Sequence, residues 1–279
     1  VNMCTVKKPT FLLAVLLLVA ALCLADTTHE GNWSNPFCYR NVFNQSDHIA
    51  EVERVTLQRV TPEFVTSRMH RGQPYIVSGV TKGWPANHKW SHDYFERLFS
   101  GHELFSSTFS TPTSPDFSDI ISAHETYYGI FLNSRDSARL VSTDYSYPSF
   151  IPPEWRITGN EWLHWGFPPC GAKRHMDIMC TSRLSVQVMG EKLWRLYPVT
   201  MATSTRHWNW TSLLQPLQAT LYPGDVIVWF PGWEHATSIQ VGPSISLSLH
   251  FTSPQNSIYQ NTFSEELSQR VSDECPWKH

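Results

Sequence analysis

The stretch Ser244-Ile-Ser-Leu-Ser-Leu-His-Phe251 alternates polar and apolar side chains without interruption. Successive side chains of a β-strand point to opposite faces, so this period of two predicts a strand with one apolar and one polar face. The polar face carries three serines and His250, and it fits either the lining of a barrel or a solvent-exposed surface. The sequence leaves these two alternatives open.

Further strand patterns precede this stretch. Residues 184–188 also alternate, and Gly190-Glu191 is typical of a tight hairpin turn into a strand over 193–197. The turn residues of Tyr222–Asp225 predict a new strand over Val226–Phe230. Short antiparallel strands separated by Pro/Gly turns indicate a mainly β fold with flanking helices, whose core is a double-stranded β-helix of the cupin or jelly-roll type.

Helices are predicted in the first half of the chain. Thr61 is a suitable N-cap with Pro62 at the first helical position, and Ser91 caps a second helix. Between them, residues 75–77 predict a short buried strand. A third helix is predicted over 117–124.

The length of 279 residues and the 41% hydrophobic content suffice for one large domain. We place this domain at 53–256, after a signal peptide at 1–25 and a flexible lead-in at 26–52, with a C-terminal helix and tail at 257–279. The net charge is −3 and no block of basic residues occurs. Nucleic-acid binding is therefore not expected.

The N-terminal residues have the pattern of a secretory signal. Lys7 and Lys8 precede the aliphatic run Phe11–Leu22, and small residues at Cys23 and Ala25 predict cleavage before Asp26. A signal anchor is the alternative, although the run is short for a membrane span. We expect the mature chain to lie in the secretory pathway, in the endoplasmic reticulum lumen or secreted, with no stable membrane span.

Cysteines and glycosylation sequons agree with an oxidising compartment. Four cysteines follow the predicted cleavage site, and they allow three pairings: Cys38, Cys170, Cys180 and Cys275. We favour a bond between Cys38 and Cys275 and a bond between Cys170 and Cys180. Three Asn-x-Ser/Thr sequons predict a glycoprotein: Asn32, Asn44 and Asn209.

Two separated motifs offer metal ligands. In His175-Met176-Asp177 an extended backbone points both ligand side chains to one face, and His235 follows within Gly224–His235. Two imidazoles and one carboxylate are the ligand set of non-haem Fe(II) oxygenases. Each motif alone is weak, since an isolated His235 also fits a packed structural histidine. Cys180 near the first motif leaves a zinc-like site of His and Cys open.

The stretch Trp162–Phe251 resembles the jumonji-C (JmjC) oxygenases, in particular their small protein hydroxylases. Ser185–Pro198 is similar to the family's hairpin after the metal strand, and Gly224–His235 is similar to the segment that carries the distal iron histidine. Upstream, Gln73–Val80 is similar to the entry strand. The resemblance covers roughly residues 55–255.

The resemblance implies Fe(II), 2-oxoglutarate and O2 as reagents, with His175, Asp177 and His235 as the catalytic iron ligands. Lys192 falls on the lysine that pairs with the distal carboxylate of 2-oxoglutarate, where a dianion needs a cation. The alternative for Lys192 is a solvated lysine beside a hairpin. Tyr128 lies near the family's tyrosine for the same carboxylate.

The co-substrate pocket departs from the family pattern. Tyr127 competes with Tyr128 for the tyrosine role. Ala172 stands where the hydroxylases often carry Thr or Ser, and Thr181 and His250 stand where Asn occurs in some members. We expect Thr181 and His250 to contact the co-substrate, with altered pocket geometry.

These observations predict an oxygenase that hydroxylates a side chain of a protein or peptide substrate in the secretory pathway. One alternative is a non-catalytic JmjC-like binding protein or folding factor of the endoplasmic reticulum lumen or extracellular space. A secreted cupin that binds a sugar or stores metal is another. By analogy with relatives, a helix over 257–272 would form a homodimer.

Overall fold

The computed structural model describes residues 49–99, 105–106, 127–131, 139–177, 181–198, 215–231 and 233–252. Side chains are not described for Phe105–Ser106 and Tyr127–Phe131. The described helices are α1 (Pro62–His70), α2 (Ala86–Lys89) and α3 (His92–Phe99), with 3-10 turns at Leu57–Arg59 and Pro153–Trp155. The described strands are β1 (Ala50–Glu51), β2 (Glu53–Thr56), β3 (Tyr75–Ser78), β4 (Phe105–Ser106), β5 (Tyr127–Phe131), β6 (Arg156–Gly166), β7 (His175–Met176), β8 (Ser182–Pro198), β9 (Leu217–Leu221), β10 (Val226–Trp229) and β11 (Trp233–Phe251).

The strands form one sheet that closes almost into a barrel. Its main path runs β2-β3-β10-β8-β11-β6-β5-β4, while β1 pairs with β9, β9 with β8, and β7 with β11. Most neighbours are antiparallel, and the exceptions are β1 with β9 and β2 with β3. The predicted mainly β, cupin-like fold with flanking helices is confirmed.

The predicted hairpin at Gly190-Glu191 is wrong. β8 continues through both residues and pairs with β11 on either side of them, from Ser182 opposite Phe251 to Pro198 opposite Trp233. Gly190 marks a bend instead, with φ of +71° and a facing irregularity in β11. A Cβ at Gly190 would lie 2.5 Å from the carbonyl oxygen of Val241, so only glycine permits this close approach.

Two apolar cores lie on opposite sides of the sheet. β10 shows the division, because Val226 and Val228 join one core while Ile227 and Trp229 join the other. The first core packs against α1, α2 and α3. The second is formed mainly by β8, β9 and β10 inside the barrel. This two-sided burial explains why β10 is apolar throughout.

The polar face of β11 is the inner lining of the barrel. We call the inward-facing residues of β8 and β11 the polar wall, all of them at most 5% exposed: Ser185, Gln187, Ser244, Ser246, Ser248 and His250. Their strand neighbours Leu247 and Leu249 face the helices. The solvent-exposed alternative for this face is therefore excluded.

The helices begin where the sequence predicts. The Thr61 hydroxyl accepts a hydrogen bond from the backbone N–H of Phe64, with Pro62 at the first position of α1. The Ser91 hydroxyl accepts from the N–H of Tyr94 at the start of α3. Capping oxygens at these positions satisfy N–H groups that have no partner within the helix.

One buried carboxylate connects α2 and α3 to the following segment. Asp144 is 1% exposed, and it accepts from Trp90 Nε1 at 3.1 Å and from the Tyr94 hydroxyl at 2.7 Å. Lys89 Nζ lies 2.7 Å from its other oxygen. Desolvation acts to raise the pKa of Asp144, but these three donors lower it overall.

We expect Asp144→Ala to lower the free energy of unfolding by about 2–4 kcal/mol, because it leaves buried donors unsatisfied. Chemical denaturation measures this change. Lys89→Met is the matched control, since the Lys89 side chain is 50% exposed, and it should cost less than about 1 kcal/mol. The lowered pKa means that the Asp144 contribution is present above the unfolded value of about 3.9 and is lost as pH falls through the folded value. Equal losses in the two variants would contradict the role of Asp144.

Several predictions concern residues outside the described ranges. These are the signal peptide, residues 26–48 of the lead-in, the helix over 117–124, the C-terminal helix, the three sequons, Cys38, Cys180 and Cys275. Cys170 is disulfide-bonded, and its partner lies outside the described residues. The lead-in was predicted to reach residue 52, but β1 pairs with β9 and Val52 is buried, so ordered structure begins earlier. No helix in the described part of the chain is long and apolar enough to cross a membrane.

Candidate metal centre

Strand pairing brings the three predicted metal ligands together. His235 in β11 is directly opposite His175 in β7, and Asp177 follows β7 by one residue. The ligand atoms of these three residues all lie within 4.8 Å of one another. His175 Nε2 is 3.8 Å from Asp177 Oδ1, and His235 Nε2 is 4.0 Å from Asp177 Oδ2. The arrangement presents two imidazole nitrogens and a carboxylate to one point.

The backbone fixes the ring orientation of His175. Its Nδ1 lies 2.6 Å from the carbonyl oxygen of Lys173. A carbonyl can only accept, so Nδ1 carries a proton, and the neutral ring would have its lone pair on Nε2, the atom that faces Asp177. A metal-binding histidine is usually oriented through its other ring nitrogen in this way.

Aromatic side chains enclose His235. Its ring stacks on Trp194 at 5.5 Å between centroids and lies 5.1 Å from the Trp229 ring. Desolvation lowers the pKa of His235 to about 3, although Asp177 acts in the opposite direction. The imidazole is therefore neutral at physiological pH, which is the form that binds metal.

Asp177 is held by a hydrogen bond and an ion pair that the sequence did not reveal. Trp229 Nε1 donates to Asp177 Oδ2 at 3.2 Å, and Arg183 Nε forms an ion pair with the same oxygen at 3.1 Å. Desolvation acts to raise the pKa of Asp177, but His235, Arg183 and His175 lower it overall. The carboxylate is thus charged and oriented.

Lys192 is completely buried, so the alternative of a solvated lysine is wrong. Its Nζ donates to the hydroxyl of Ser246, in the polar wall, at 2.7 Å. Desolvation lowers the pKa of Lys192 to about 7. His164 is in register with Ser246, and its own pKa is lowered by desolvation and by the nearby Lys192. A buried cation with an imidazole beside it is suited to an anionic ligand.

Of the other predicted co-substrate residues, two lie buried near the metal centre, and the side chain of the third is not described. Thr181 and His250 are both buried, and Thr181 Oγ1 lies 3.4 Å from His250 Nδ1, near Asp177. Tyr128 is in β5, in register with Trp165, and its side chain is outside the described part. The Ala172 N–H donates to the Thr237 hydroxyl at 2.8 Å.

Sequence reasoning missed Arg183, Trp229, Ser246 and His164 as neighbours of the predicted site residues. The sequence did contain a signal for Arg183. It is separated from Ser185 and Gln187 by two and four positions, so on a strand all three side chains lie on the same polar face. Trp229 is in register with Arg183, and this pairing is a tertiary fact that no local pattern encodes.

Comparison with known proteins gives distant relatives. The chain is 25% identical over 224 residues to lysine-specific demethylase JMJ21 of Arabidopsis thaliana, covering 66% of this chain and 24% of that protein. It is 22% identical over 243 residues to arginine-specific demethylase JMJ22 of the same plant, covering 75% and 47%. It is 21% identical over 267 residues to the bifunctional arginine demethylase and lysyl-hydroxylase psr-1 of Caenorhabditis elegans, covering 78% and 65%. The chain thus spans from a quarter to two thirds of the length of these relatives.

Solved structures include YcfD, a ribosomal oxygenase from Escherichia coli, with a TM-score of 0.47 and 16% identity over 78% of this chain and 57% of that one. The sequence profile of the JmjC domain family matches residues 165–259. This match contains β7, β8, β9, β10 and β11, and with them every ligand of the candidate metal centre. This part of the chain is therefore similar to the JmjC domain.

Proposed function

We propose that this chain is an Fe(II)- and 2-oxoglutarate-dependent oxygenase that hydroxylates a protein side chain in the secretory pathway. The observation that carries the proposal is the convergence of His175, Asp177 and His235 on one point. A site of two histidines and one carboxylate leaves coordination positions open for a co-substrate and O2.

The donor set of the site fits Fe(II). His235 is neutral and offers a lone pair, and the Nδ1 contact of His175 with the Lys173 carbonyl oxygen leaves Nε2 as its metal-binding atom. Asp177 supplies the negative charge. Imidazole and carboxylate are suitable ligands for first-row divalent metals, and no thiolate within the described residues belongs to the cluster.

Lys192 and the polar wall support 2-oxoglutarate as the co-substrate. A dianion in a buried space needs a cation and hydrogen-bond donors, which Lys192 and the Ser246 hydroxyl supply. Ser185 Oγ is buried and makes no hydrogen bond within the described structure. Such an atom has hydrogen-bonding capacity available for a ligand.

The division of tasks follows from these positions. Bound iron and 2-oxoglutarate would together supply the oxidising power for C–H hydroxylation. His175, Asp177 and His235 would hold the metal, while Lys192 would orient the far carboxylate of the co-substrate. Trp194 and Trp229 exclude water from the side of His235.

The proposed substrate is a protein side chain. The psr-1 relative is named for lysyl hydroxylation as well as arginine demethylation, and the two plant relatives are named as demethylases. We favour hydroxylation because the psr-1 relative, of which the chain covers 65%, has lysyl-hydroxylase in its name. Peptides that contain lysine or arginine are the first substrates to test.

The decisive assay uses the full chain purified anaerobically. Fe(II) and 2-oxoglutarate are added, and succinate formation is followed with and without candidate peptides. We expect iron-dependent succinate formation that a peptide stimulates, together with a mass increase of one oxygen atom on that peptide. Binding of 2-oxoglutarate without turnover on any peptide would favour the non-catalytic alternative, and absence of both would contradict the co-substrate assignment.

The secretory location is proposed from the N-terminal signal pattern and the sequons, and the disulfide at Cys170 supports it. Expression in animal cells tests it directly. We expect an N-terminus at Asp26 and a mobility shift after glycosidase treatment. An unprocessed, unglycosylated chain in the cytosolic fraction would contradict this location.

A further inference from the structure

The two oxygens of the Asp177 carboxylate have different surroundings. Oδ2 accepts from Trp229 Nε1 at 3.2 Å and is 3.1 Å from Arg183 Nε. Oδ1 faces His175 Nε2 at 3.8 Å, and Oδ2 is also 4.0 Å from His235 Nε2. Only Oδ2 is in contact with the indole N–H and the guanidinium. The indole N–H and the guanidinium have no lone pair for a metal, so they act on the carboxylate and not as ligands.

Arg183 is held in this position by the fold. It is in β8, with Trp229 of β10 opposite on one side and His250 of β11 opposite on the other. Its side chain is only 12% exposed, and that of Asp177 is 16% exposed. A guanidinium so far removed from water needs a counter-ion, and Asp177 is the carboxylate in contact with it.

The pairing has a consequence for an incoming cation. Without metal, the charge of Asp177 is already compensated by Arg183. With metal, a fixed positive charge remains on the far side of the same carboxylate, and like charges at this distance repel strongly in a partly buried site. Trp229 contributes the orienting hydrogen bond without adding charge.

We propose that Arg183 is a positioning residue that commits Asp177 to metal coordination through Oδ1 alone and that weakens the affinity of the site for divalent cations. This inference rests on the proposed metal site. The repulsion acts on every divalent cation alike, so occupancy of the weakened site depends more strongly on a chelating anionic co-substrate that reinforces the bound ion.

The test is a calorimetric titration of the metal-free full chain with Mn(II), which is stable in air. Removing the charge with Arg183→Met should tighten Mn(II) binding by at least about tenfold, because the repulsion is lost. Arg183→Lys keeps the charge and should bind within about threefold of wild type. Trp229→Phe keeps an aromatic ring and the charge of the site but removes the hydrogen bond, and it should weaken binding by about tenfold. Arg183→Met should tighten Mn(II) binding, whereas Trp229→Phe should weaken it. This difference separates the effect of charge from a general disturbance of the site, which would weaken binding in both variants.

Arg183→Gln provides a second neutral variant if the methionine variant does not fold, and it should also tighten binding. Neutral variants that bind Mn(II) as wild type does, or more weakly, would overturn the role of Arg183 while leaving the metal site intact. A wild-type chain that binds no Mn(II) would overturn the metal site and this inference with it. Thermal melts of each variant establish that the compared proteins are folded.

Discussion

Asp177→Ala should abolish divalent-metal binding and iron-dependent succinate formation. Asp177 supplies the only carboxylate among the three clustered ligands in the described structure. Loss of a direct ligand should exceed the roughly 10–100-fold effect of losing a supporting residue, so we expect more than about a 100-fold drop in Mn(II) affinity. Titration calorimetry on the metal-free protein measures this independently of turnover.

The control for Asp177 is a carboxylate that neighbours another ligand. Glu234 immediately precedes His235, and its carboxylate pairs with the exposed Arg174 at 2.6 Å. Glu234→Gln should leave Mn(II) affinity within about threefold of wild type, as expected for an exposed ion pair. Asp177→Ala that retains wild-type metal affinity, or Glu234→Gln that loses it, would show that the ion binds elsewhere.

Lys192→Met should weaken 2-oxoglutarate binding by roughly 100-fold while leaving Mn(II) affinity nearly unchanged, because a buried charge partner of the co-substrate is lost. Methionine fills a similar volume, so the second core is preserved. Binding is measured by titrating 2-oxoglutarate into the Mn(II)-loaded protein. Lys173→Met is the control, since Lys173 is exposed beside His175, and it should bind as wild type. Unchanged affinity in Lys192→Met would refute the co-substrate assignment.

The affinity for 2-oxoglutarate should also depend on pH. Desolvation lowers the pKa of Lys192 to about 7 in the ligand-free protein, so above pH 7 the dianion must bind together with a proton. The dissociation constant should therefore rise by up to about tenfold per pH unit above 7. Lys192→Met removes this dependence. His164, Ser246 and the metal ligands share the site, so the comparison with Lys192→Met isolates the lysine.

The lowered pKa of Lys192 also makes the stability of the protein depend on pH. Stability should rise with pH, whereas the affinity for 2-oxoglutarate should fall. Between pH 7 and the unfolded pKa of about 10.4, the unfolded chain binds more protons at Lys192 than the folded chain does. Stability of the ligand-free protein should consequently rise with pH across this window on account of Lys192. Thermal melts of wild type and Lys192→Met across the window give the difference.

Local patterns predicted much of the strand content but not the continuity of the long strands. The alternation of 244–251 and the turn at Tyr222–Asp225 were sufficient to predict the second part of β11 and the start of β10. Gly190-Glu191 has the local chemistry of a hairpin turn, and only the pairing of both halves of β8 with β11 shows otherwise. Pairing of this kind depends on distant residues, which no local window contains.

The candidate site, like the fold, was predicted only in part from the sequence. His175, Asp177, His235 and Lys192 were identified by motif and resemblance, and the structure brings the first three together and buries the fourth. The period of two could not assign the polar face to the barrel interior, because a closed sheet can bury both faces. Arg183 escaped notice since an arginine near a strand end is usually solvated.

The continuity of β8 and β11 also fixes the distance along the sheet between His235 and Lys192. His235 is on β11, while Arg183 and Lys192 are on β8, with the Gly190 bend between the latter two. The backbone span from His235 to Lys192 is therefore set by paired strands. The barrel acts as a molecular ruler, which should accept the five-carbon keto diacid and reject analogues one carbon shorter or longer.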